Sequence, residues 1–354
     1  MDFRPQPKIV INSCAPVRIC DIGGWTDTWF SKKGGVFHIA VSPYVEVQLL
    51  VFGDSANEDL IFINAENYKE RYRYKLQGQT AVRKWHRHPL LEAAFEIMNL
   101  PPGIQLEATI YSSAPASSSI GTSASVIVAL LSALDMLTPD RMGLKEIAQT
   151  AHRVETELLQ GQSGIQDQLC AACGGINFID MYEYPHANVH QLKIPEELSW
   201  ELEKRLHLIC VGKSHRSSDL HEKVIKTLEH EGPGSRKLED LRAAAVESRD
   251  ALLAGDLAAF GQAMINNLEA QKRLHDDLVA TDAQRIFRVA EEHGALGWKV
   301  NGAGGEGGSV TILAGPIAET NRRMVSSIEA ISPRYKSIPI SLSPAGARVW
   351  RREL

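Results

Sequence analysis

The sequence predicts an α+β protein of two domains, and three features lead to that prediction. The chain has 354 residues, which is more than one ordinary hydrophobic core holds. Its pattern changes from mixed strands and helices in the first half to mostly helices in the second half. Glycine-rich turns occur in both halves. We place the boundary after residue 195, so that the predicted domains cover 1–195 and 196–354.

The first domain has the clearer strand pattern. Alternating apolar and polar residues predict strands, and apolar residues spaced by three and four predict helices. In chain order we expect strands within 8–51, a hairpin over 57–80, a helix over 89–99, a strand over 104–113, helices over 123–137 and 143–160, a short helix, and a strand over 174–180.

The second domain opens with an apolar strand over 205–212. Residues 219–293 are expected to be largely helical. Residues 298–313 predict a strand, a glycine-rich turn and a second strand. A helix over 317–331 and a strand over 337–343 complete the expected elements.

Composition argues against several classes of protein. A hydrophobic fraction of 44% and a charged fraction of 23% are typical of soluble globular chains. A net charge of −5 argues against a nucleic-acid partner, and no apolar run approaches the roughly 20 residues that span a membrane. Five cysteines are an odd number, so we expect no complete disulfide framework and a cytoplasmic location. Cys170 and Cys173 lack a second pair of metal ligands, and we interpret them as packing residues.

A hydroxyl-rich loop precedes one of the predicted helices. Eight serine and threonine side chains and one glycine occur from Ser112 to Ser125, and an apolar helix follows at once. A helix N-terminus offers free backbone N–H groups and partial positive charge, which together bind anions. The amides of 118–123 and the hydroxyls of Thr122 and Ser123 are therefore candidates for holding phosphate. A well-capped helix beside a solvated loop is the alternative.

Three carboxylates are candidates for chemistry. Glu155 lies on the inward stripe of a predicted helix, where an unpaired charge is costly, so a divalent cation or a role as a base would explain it. An ion pair with Arg153 is the alternative. Asp167 follows twelve residues later, after a glycine-containing turn. Asp27 follows a double-glycine turn, and it either reaches into a cleft or caps the turn.

Three motifs occur in order along the chain: APVRICDIGGWTD, PASSSIGTSAS and KVNGAGGEGG. The third contains five glycines, enough for its backbone to approach a ligand or another loop closely. The three motifs resemble those of the GHMP kinases, and the resemblance spans nearly the whole chain. It implies an N-terminal domain like ribosomal protein S5 domain 2, a ferredoxin-like C-terminal domain, and a cleft between them that uses ATP and Mg²⁺.

The resemblance also implies roles for individual residues. Asp167 would accept the proton of the attacking hydroxyl, and Arg18 would steady that carboxylate. Asp27 would hold sugar hydroxyls, while Glu155 and Ser123 would coordinate Mg²⁺, with Thr122 as the alternative to Ser123. The residues implied to surround the ATP phosphates belong to the second and third motifs and are Ser117, Ser118, Ser119, Gly121, Thr122, Ser123, Gly302 and Gly304.

Departures from the family pattern bear on the substrate. Gly24 and Trp25 stand where galactokinases carry Glu-His, and GGWTDT resembles the bacterial L-fucokinases, with Trp25 as a stacking face for a sugar. The segment VGKSHRSSDLHEKV resembles the D-glycero-D-manno-heptose 7-phosphate kinases. There His215, Arg216 and Ser217 would bind a second phosphate, unless they face solvent at a helix N-terminus.

The resemblance thus implies an ATP-dependent kinase that phosphorylates the C1 hydroxyl of a sugar or a sugar 7-phosphate. A non-catalytic sugar sensor on the same scaffold is the alternative, although such a sensor need not keep both Asp167 and Glu155. We expect a sugar or sugar phosphate as partner, and neither nucleic acid nor membrane. Whether the protein forms a homodimer is left open.

Overall fold

The computed structural model describes residues 6–54, 60–78, 84–115, 117–212 and 218–354. Within these ranges the chain forms two sheets with helices packed on them, and the predicted α+β class is confirmed. None of the described helices is both long enough and apolar enough to span a bilayer. All five cysteines are free thiols.

The described strands are, in chain order, β1 (Ile9–Ile22), β2 (Gly34–Asp54), β3 (Leu60–Ala65), β4 (Glu70–Tyr74), β5 (Ile104–Ser112), β6 (Ile176–Glu183), β7 (His186–Gln191), β8 (Leu206–Cys210), β9 (Gly297–Val300), β10 (Ser309–Leu313), β11 (Lys336–Ile338) and β12 (Arg348–Glu353). The described α-helices are α1 (Pro89–Ile97), α2 (Thr122–Asp135), α3 (Leu144–Arg153), α4 (Gln166–Cys173), α5 (Glu196–Arg205), α6 (Ser218–Glu231), α7 (Arg236–Leu253), α8 (Leu257–Leu274), α9 (Thr281–Glu292) and α10 (Ala318–Ile331).

The larger sheet is built around β1 and β2, which are long enough to pair with several partners. Its order is β12-β1-β2-β5-β3-β4, and β6 pairs with the first part of β2 and carries β7. The described pairs are antiparallel, except that β3 runs parallel to β5. The segment 23–33 joins β1 to β2 and folds back on itself, so that a Cβ added to Gly34 would lie 1.9 Å from the carbonyl oxygen of Thr26. Glycine is therefore required at this corner, which holds Trp25 and Asp27 beside the sheet.

The smaller sheet has the order β11-β8-β10-β9 and is antiparallel throughout its described pairs. Ile286 and Phe287 of α9 and Met324 and Ile328 of α10 pack in one buried cluster with its strands. The connection from β9 to β10 carries the third glycine-rich motif.

Two apolar clusters pack against the larger sheet. One lies between the larger sheet and the helices α1 to α4, with Leu130 and Leu131 of α2 fully buried in it. The other joins Ile19 and Phe37 of the larger sheet to Phe260 of α8. Since this second core draws residues from both predicted domains, the domains pack through buried apolar surface.

One departure from the expected elements occurs near Glu155. The predicted helix over 143–160 ends as α3 at Arg153, and a π-helical turn follows at Val154–Leu158. There the Leu159 amide donates to the Val154 carbonyl over 3.1 Å, which accommodates one extra residue in the turn. Apolar periodicity alone predicts an uninterrupted helix, because the apolar spacing continues from α3 into the π-helical turn.

The structure also contains elements that the sequence analysis did not predict, namely β7, α5 and β12. Their residues are mostly polar and exposed, so they lack the apolar pattern on which the predictions depend. The expected strand over 337–343 is shorter, and only β11 is formed. Because β12 pairs with β1, the last residues return to the first sheet. The boundary after residue 195 stays a prediction.

Candidate active site

The hydroxyl-rich loop enters α2 through residues with left-handed backbone. Ser117, Ser119 and Gly121 have φ angles of 60°, 57° and 74°. Gly121 is the N-cap of α2, and no side chain in the described residues caps that end. The first N–H groups of a helix have no partner within the helix, and they carry its partial positive charge. The loop therefore presents free donors at the start of α2. We call residues 117–123 the phosphate loop.

Arg18 and Asp167 form the central ion pair of the site. The Arg18 Nε and Nη2 atoms donate to the two oxygens of Asp167 over 2.8 and 3.2 Å, and its Nη1 donates to the Ser119 carbonyl over 2.7 Å. Burial alone would lower the pKa of Arg18, but the Asp167 and Asp21 charges outweigh it and the net shift of the pKa is upward. The Arg18 side chain is 6% exposed and that of Asp167 is 27% exposed, so the carboxylate remains open to a ligand.

Two glycines let the phosphate loop, β1 and the third motif meet closely. A Cβ on Gly121 would lie 3.2 Å from Arg18 and 3.3 Å from the Asp167 carboxyl group. A Cβ on Gly302 would lie 3.1 Å from the Ser119 carbonyl oxygen. Gly304, in contrast, approaches the Leu278 carbonyl oxygen, at 2.2 Å from its ideal Cβ position. Of the two predicted glycines of the third motif, only Gly302 is brought against the phosphate loop at this distance.

Hydrogen bonds add to this junction. Ser309 Oγ donates to the buried Ser118 carbonyl over 2.6 Å, and it accepts from Asn301 Nδ2 over 3.0 Å. Ser118 Oγ donates to the Pro115 carbonyl over 2.8 Å and so fixes the loop internally. The Ser118 hydroxyl thus bonds to its own segment of the chain, while the Ser118 carbonyl accepts a bond from Ser309 of the second predicted domain.

A cavity of about 370 Å³ opens beside Asp167. Asp27 lines it, is 1% exposed, and accepts the Gln166 N–H at 2.9 Å. Burial raises the pKa of Asp27 to about 6; the Gln166 hydrogen bond lowers it and the Asp167 charge raises it. The structure thus brings Asp27 and Asp167 to one cavity, as the sequence analysis expected of a substrate site.

Trp25 forms a strained wall of this cavity. Its φ angle is 76°, which a bulky side chain rarely adopts and which costs of order 1–3 kcal/mol. Its ring meets that of His221 edge-on, with centroids 5.7 Å apart. The buried Nε1 atom of Trp25 and Oε1 atom of Gln166 have no hydrogen-bond partner in the described protein. Both polar atoms belong to residues that line the cavity, which is the arrangement expected where a ligand supplies the partners.

Gly24, also predicted to bind substrate, lies next to these groups. A Cβ there would be 3.3 Å from Gln166 Nε2, so a larger residue would crowd that amide. Trp29 and Phe30 add aromatic surface to the cavity, and Glu222 of α6 adds a carboxylate. The cavity therefore combines apolar walls with several hydrogen-bonding groups.

Glu155 lies close to Asp167 but does not pair with Arg153. Its Oε2 atom accepts from Ser163 Oγ at 3.0 Å and from Gln168 Nε2, whereas Arg153 donates to Glu157. Burial raises the pKa of Glu155 to about 7; the Ser163 bond lowers it and the nearby Asp167 charge raises it. Asp167 is balanced by Arg18, whereas the bonds to Glu155 come only from neutral groups, so a divalent metal ion fits beside this second carboxylate. No group of three or more ionisable ligands surrounds a single point in the described residues.

The other side of the phosphate loop faces a separate groove. Thr122 and Ser123 line it together with Tyr68, Leu91 and Val126, and its volume is about 270 Å³. Ser123 is exposed at the first turn of α2, while Thr122 is half-buried. This apolar groove beside a helix N-terminus was not located from the sequence.

Some expected site residues lie outside the described part of the chain. These are His215, Arg216 and Ser217, which directly precede α6. Several residues at the site were not singled out by the sequence analysis. Asp21 and Lys299 occur within the quoted motifs and Gln166 directly precedes Asp167, but their residue types alone gave no reason to select them. His221 and Glu222 lie within the quoted segment VGKSHRSSDLHEKV, but only its earlier residues were selected.

Comparison with known proteins gives the site a context. Residues 86–175 match the family model of the GHMP kinases N terminal domain. The chain is 27% identical over 245 residues to the D-glycero-alpha-D-manno-heptose 7-phosphate kinase of Campylobacter jejuni, covering 68% of this chain and 69% of that protein. It is 24% identical over 370 residues to the L-fucokinase/L-fucose-1-P guanylyltransferase of Bacteroides fragilis, covering 95% of this chain but only 38% of that longer protein.

A solved structure has the same fold. The crystal structure of a D-glycero-D-manno-heptose 1-phosphate kinase from Bacteroides thetaiotaomicron superposes with a TM-score of 0.73 at 23% identity, over 96% of this chain and 98% of that one. The predicted resemblance to the GHMP kinases and the predicted two-domain fold are both confirmed.

Proposed function

We propose that this chain, which carries a GHMP kinase N-terminal domain on the fold of that family, is an ATP- and Mg²⁺-dependent sugar kinase. It would phosphorylate the C1 hydroxyl of a sugar or a sugar 7-phosphate. One observation carries the proposal. The Asp167 carboxylate lines the cavity and also lies beside Gly121 of the phosphate loop. A hydroxyl in the cavity and a phosphate on the loop would meet at this carboxylate.

The phosphate loop would bind the ATP phosphates mainly through backbone. Its left-handed residues and the uncapped start of α2 leave N–H donors exposed to an anion. The apolar groove with Tyr68, Leu91 and Val126 would take the adenine base, because it is continuous with Thr122 and Ser123 at the same helix end.

The predicted ligands are of the chemical type that suits Mg²⁺ bound together with ATP. Glu155 would supply a carboxylate and Ser123 a hydroxyl, the hard oxygen ligands that this ion prefers. When bound, the ion offsets negative charge on the transferred phosphoryl group. The nearby Asp167 carboxylate adds to the local negative charge that favours a cation.

Asp167 would act as the base for the attacking hydroxyl. Its two bonds to Arg18 fix the plane of the carboxylate and leave its exposed side towards the cavity. Arg18 also reaches the phosphate loop at Ser119, so the same guanidinium would orient the base relative to the phosphates.

The cavity would bind the rest of the sugar through polar edges and aromatic faces. Asp27 would accept hydrogen bonds from sugar hydroxyls, and Gln166 Oε1 and Trp25 Nε1 would gain the partners that they lack. Trp29 would add apolar surface against the ring carbons.

The test is release of ADP with Mg-ATP across a panel of free sugars and D-glycero-D-manno-heptose 7-phosphate, with Asp167→Asn as the blank. Turnover of one sugar would support the proposal. A free sugar such as L-fucose as substrate would make Arg216 incidental. Turnover of the 7-phosphate alone, lost in Arg216→Ala, would assign that arginine to the second phosphate. Sugar binding without ADP release on any member would contradict a kinase and favour a sensor.

A further inference from the structure

Two buried charges have no role in the mechanism above, although one of them, Asp21, lines the cavity. Lys299 of β9 is 0% exposed, and Asp21 of β1 is 3% exposed. Lys299 Nζ donates to Asp21 Oδ1 over 2.7 Å and to the Val300 carbonyl over 2.6 Å. The two residues are 278 positions apart and join the second predicted domain to the first. A buried ion pair between domains must stay together, because separating it would leave two uncompensated charges.

Asp21 connects this lysine to the catalytic machinery. Its second oxygen, Oδ2, accepts the Gly302 N–H at 2.9 Å and lies 3.7 Å from Arg18 Nη2. One carboxylate therefore touches the third-motif turn with one oxygen and holds the lysine with the other. Through Arg18 it is one contact away from Asp167.

The charges form a row of alternating sign, in the order Lys299, Asp21, Arg18, Asp167. Each member of the row limits the positions open to the next, because all but Asp167 are nearly or fully buried. Gly302, held by Asp21, lies against Ser119 of the phosphate loop. The row thus fixes the orientation of the Arg18 side chain and the position of the phosphate loop.

We propose that Lys299 and Asp21 are positioning residues. Through them the second predicted domain would hold the Arg18–Asp167 pair and the phosphate loop at the relative positions that phosphoryl transfer requires. The proposal rests on the proposed kinase function. A pair kept for stability alone has no need of the Asp21 contacts with Gly302 and Arg18, since well-packed apolar residues stabilise such a site equally well or better. Misplacing reacting groups by about 1 Å can cost on the order of 100-fold in rate.

The test is the neutral double variant Asp21→Asn/Lys299→Met. It removes both charges at once, so no unpaired charge is left in the core. We expect it to fold and to keep the KM values for ATP and sugar within about threefold, while kcat falls by about 100-fold. Unchanged kcat in the folded double variant would overturn the proposal. A rise in KM with unchanged kcat would also overturn it, because binding and not positioning would then be affected.

An ion pair elsewhere, with a buried aspartate and an arginine that is 49% exposed, provides the control. Asp135, 2% exposed at the end of α2, accepts Arg141 Nε at 2.6 Å. It is not among the residues lining the cavity. The variant Asp135→Asn/Arg141→Met should lose stability and keep kcat. An equal loss of kcat there would show that any broken ion pair has this effect, which contradicts positioning.

Asp21→Asn alone answers the question if the double variant does not fold. It keeps the size of the side chain and an oxygen for Lys299, so a folded protein with kcat reduced about tenfold supports the proposal. Unfolding of both variants would assign the pair to stability and overturn the proposal. Wild-type turnover is measured first. A wild type without activity would contradict both the proposed function and this inference. An active wild type with an equally active double variant would contradict this inference alone.

Discussion

Residues on three segments of the chain position the Asp167 side chain. It lies in the first turn of α4, accepts two bonds from Arg18 of β1, and sits against Gly121 of the phosphate loop. Its side chain remains 27% exposed although its partner is almost fully buried. A carboxylate that is fixed on one side and open on the other suits transfer of a proton from a bound hydroxyl.

Asp167→Asn should therefore abolish turnover while leaving nucleotide binding intact. Asparagine keeps the size of the side chain but does not accept the proton, and we expect kcat to fall by about 10³-fold or more. ADP release gives kcat, and calorimetric titration with ATP gives the affinity. Asp180→Asn, at an exposed aspartate of β6, is the control and should match the wild type. Residual turnover near the wild-type rate would exclude Asp167 as the base.

The pKa of Asp27, raised to about 6 by burial, makes stability depend on pH. Between about pH 4 and 6 the folded protein keeps a proton that the unfolded chain has already released. The free energy of unfolding should therefore fall as the pH rises through this range, with Asp27 contributing at most about 3 kcal/mol. In Asp27→Asn this part of the slope should be absent. Urea unfolding at several pH values measures it, and an unchanged slope in the variant would contradict the assignment.

At the scale of elements, the π-helical turn after α3 is the feature that orients Glu155. The turn brings the carboxylate to Ser163 and Gln168, near Asp167, while Glu157 on the same turn faces outward to Arg153. One short segment thus presents one glutamate to the site and another to solvent. Such turns occur often at functional sites.

Glu155→Gln should raise the Mg²⁺ concentration needed for half-maximal turnover, because the variant removes a charged oxygen ligand. We expect a shift of about tenfold or more in a titration of ADP release against Mg²⁺ at saturating ATP. Glu157→Gln is the matched control, since it changes the same residue type on the same turn without touching the site. Equal titration curves for both variants and the wild type would exclude Glu155 as a ligand.

The phosphate loop depends on the left-handed backbone of Gly121. Its φ is 74°, and an added Cβ would press on both Arg18 and Asp167. Gly121→Ala should cost about 1 kcal/mol in backbone strain and reduce kcat by about tenfold or more, because the ion pair must move.

Gly232→Ala separates these two effects. Gly232 has a similar φ of 77° in the turn after α6, and a Cβ there would meet nothing within 4 Å. This variant should lose similar stability, measured by urea unfolding, and keep full activity. If both variants lost activity equally, the crowding of Arg18 and Asp167 would not be the cause.

At the scale of the whole molecule, the two predicted domains share a core. Phe37 of β2 and Phe260 of α8 are fully buried, and their rings meet with centroids 5.4 Å apart. The strand β12 also returns from the C-terminal end of the chain to pair with β1. The two predicted domains therefore share buried apolar surface, and the alternating charges of Lys299, Asp21 and Arg18 continue this contact to the site.

Phe260→Ala should lower the free energy of unfolding by about 3–5 kcal/mol, because it opens a cavity in this shared core. Tryptophan fluorescence and far-ultraviolet circular dichroism should report the same single transition in urea, for the variant as for the wild type. Leu253→Ala, at an exposed residue ending α7, is the control and should change stability by about 0.5 kcal/mol or less. Separate transitions for the two probes would show that the domains unfold independently.

The sequence by itself was sufficient for the features that depend on neighbouring residues. The hydroxyl-rich loop and the start of α2, the glycine corner before Asp27, and the spacing from Glu155 to Asp167 all lie within short segments. Helix and strand patterns, turn residues and motif order are local properties, so the α+β class and most elements of the first domain could be predicted from them. The polar elements α5 and β12 could not, because they carry no apolar pattern.

Only the tertiary structure decided how these segments combine. The pairing of Lys299 with Asp21, the approach of His221 to Trp25, and the turn of Gly302 against Ser119 join residues that are far apart in the chain. The π-helical turn at Glu155 and the return of β12 to β1 also depend on packing. The physical reason is that a buried charge or a strained backbone is stable only where distant parts of the chain supply its partners, and sequence spacing carries no record of which distant parts will meet.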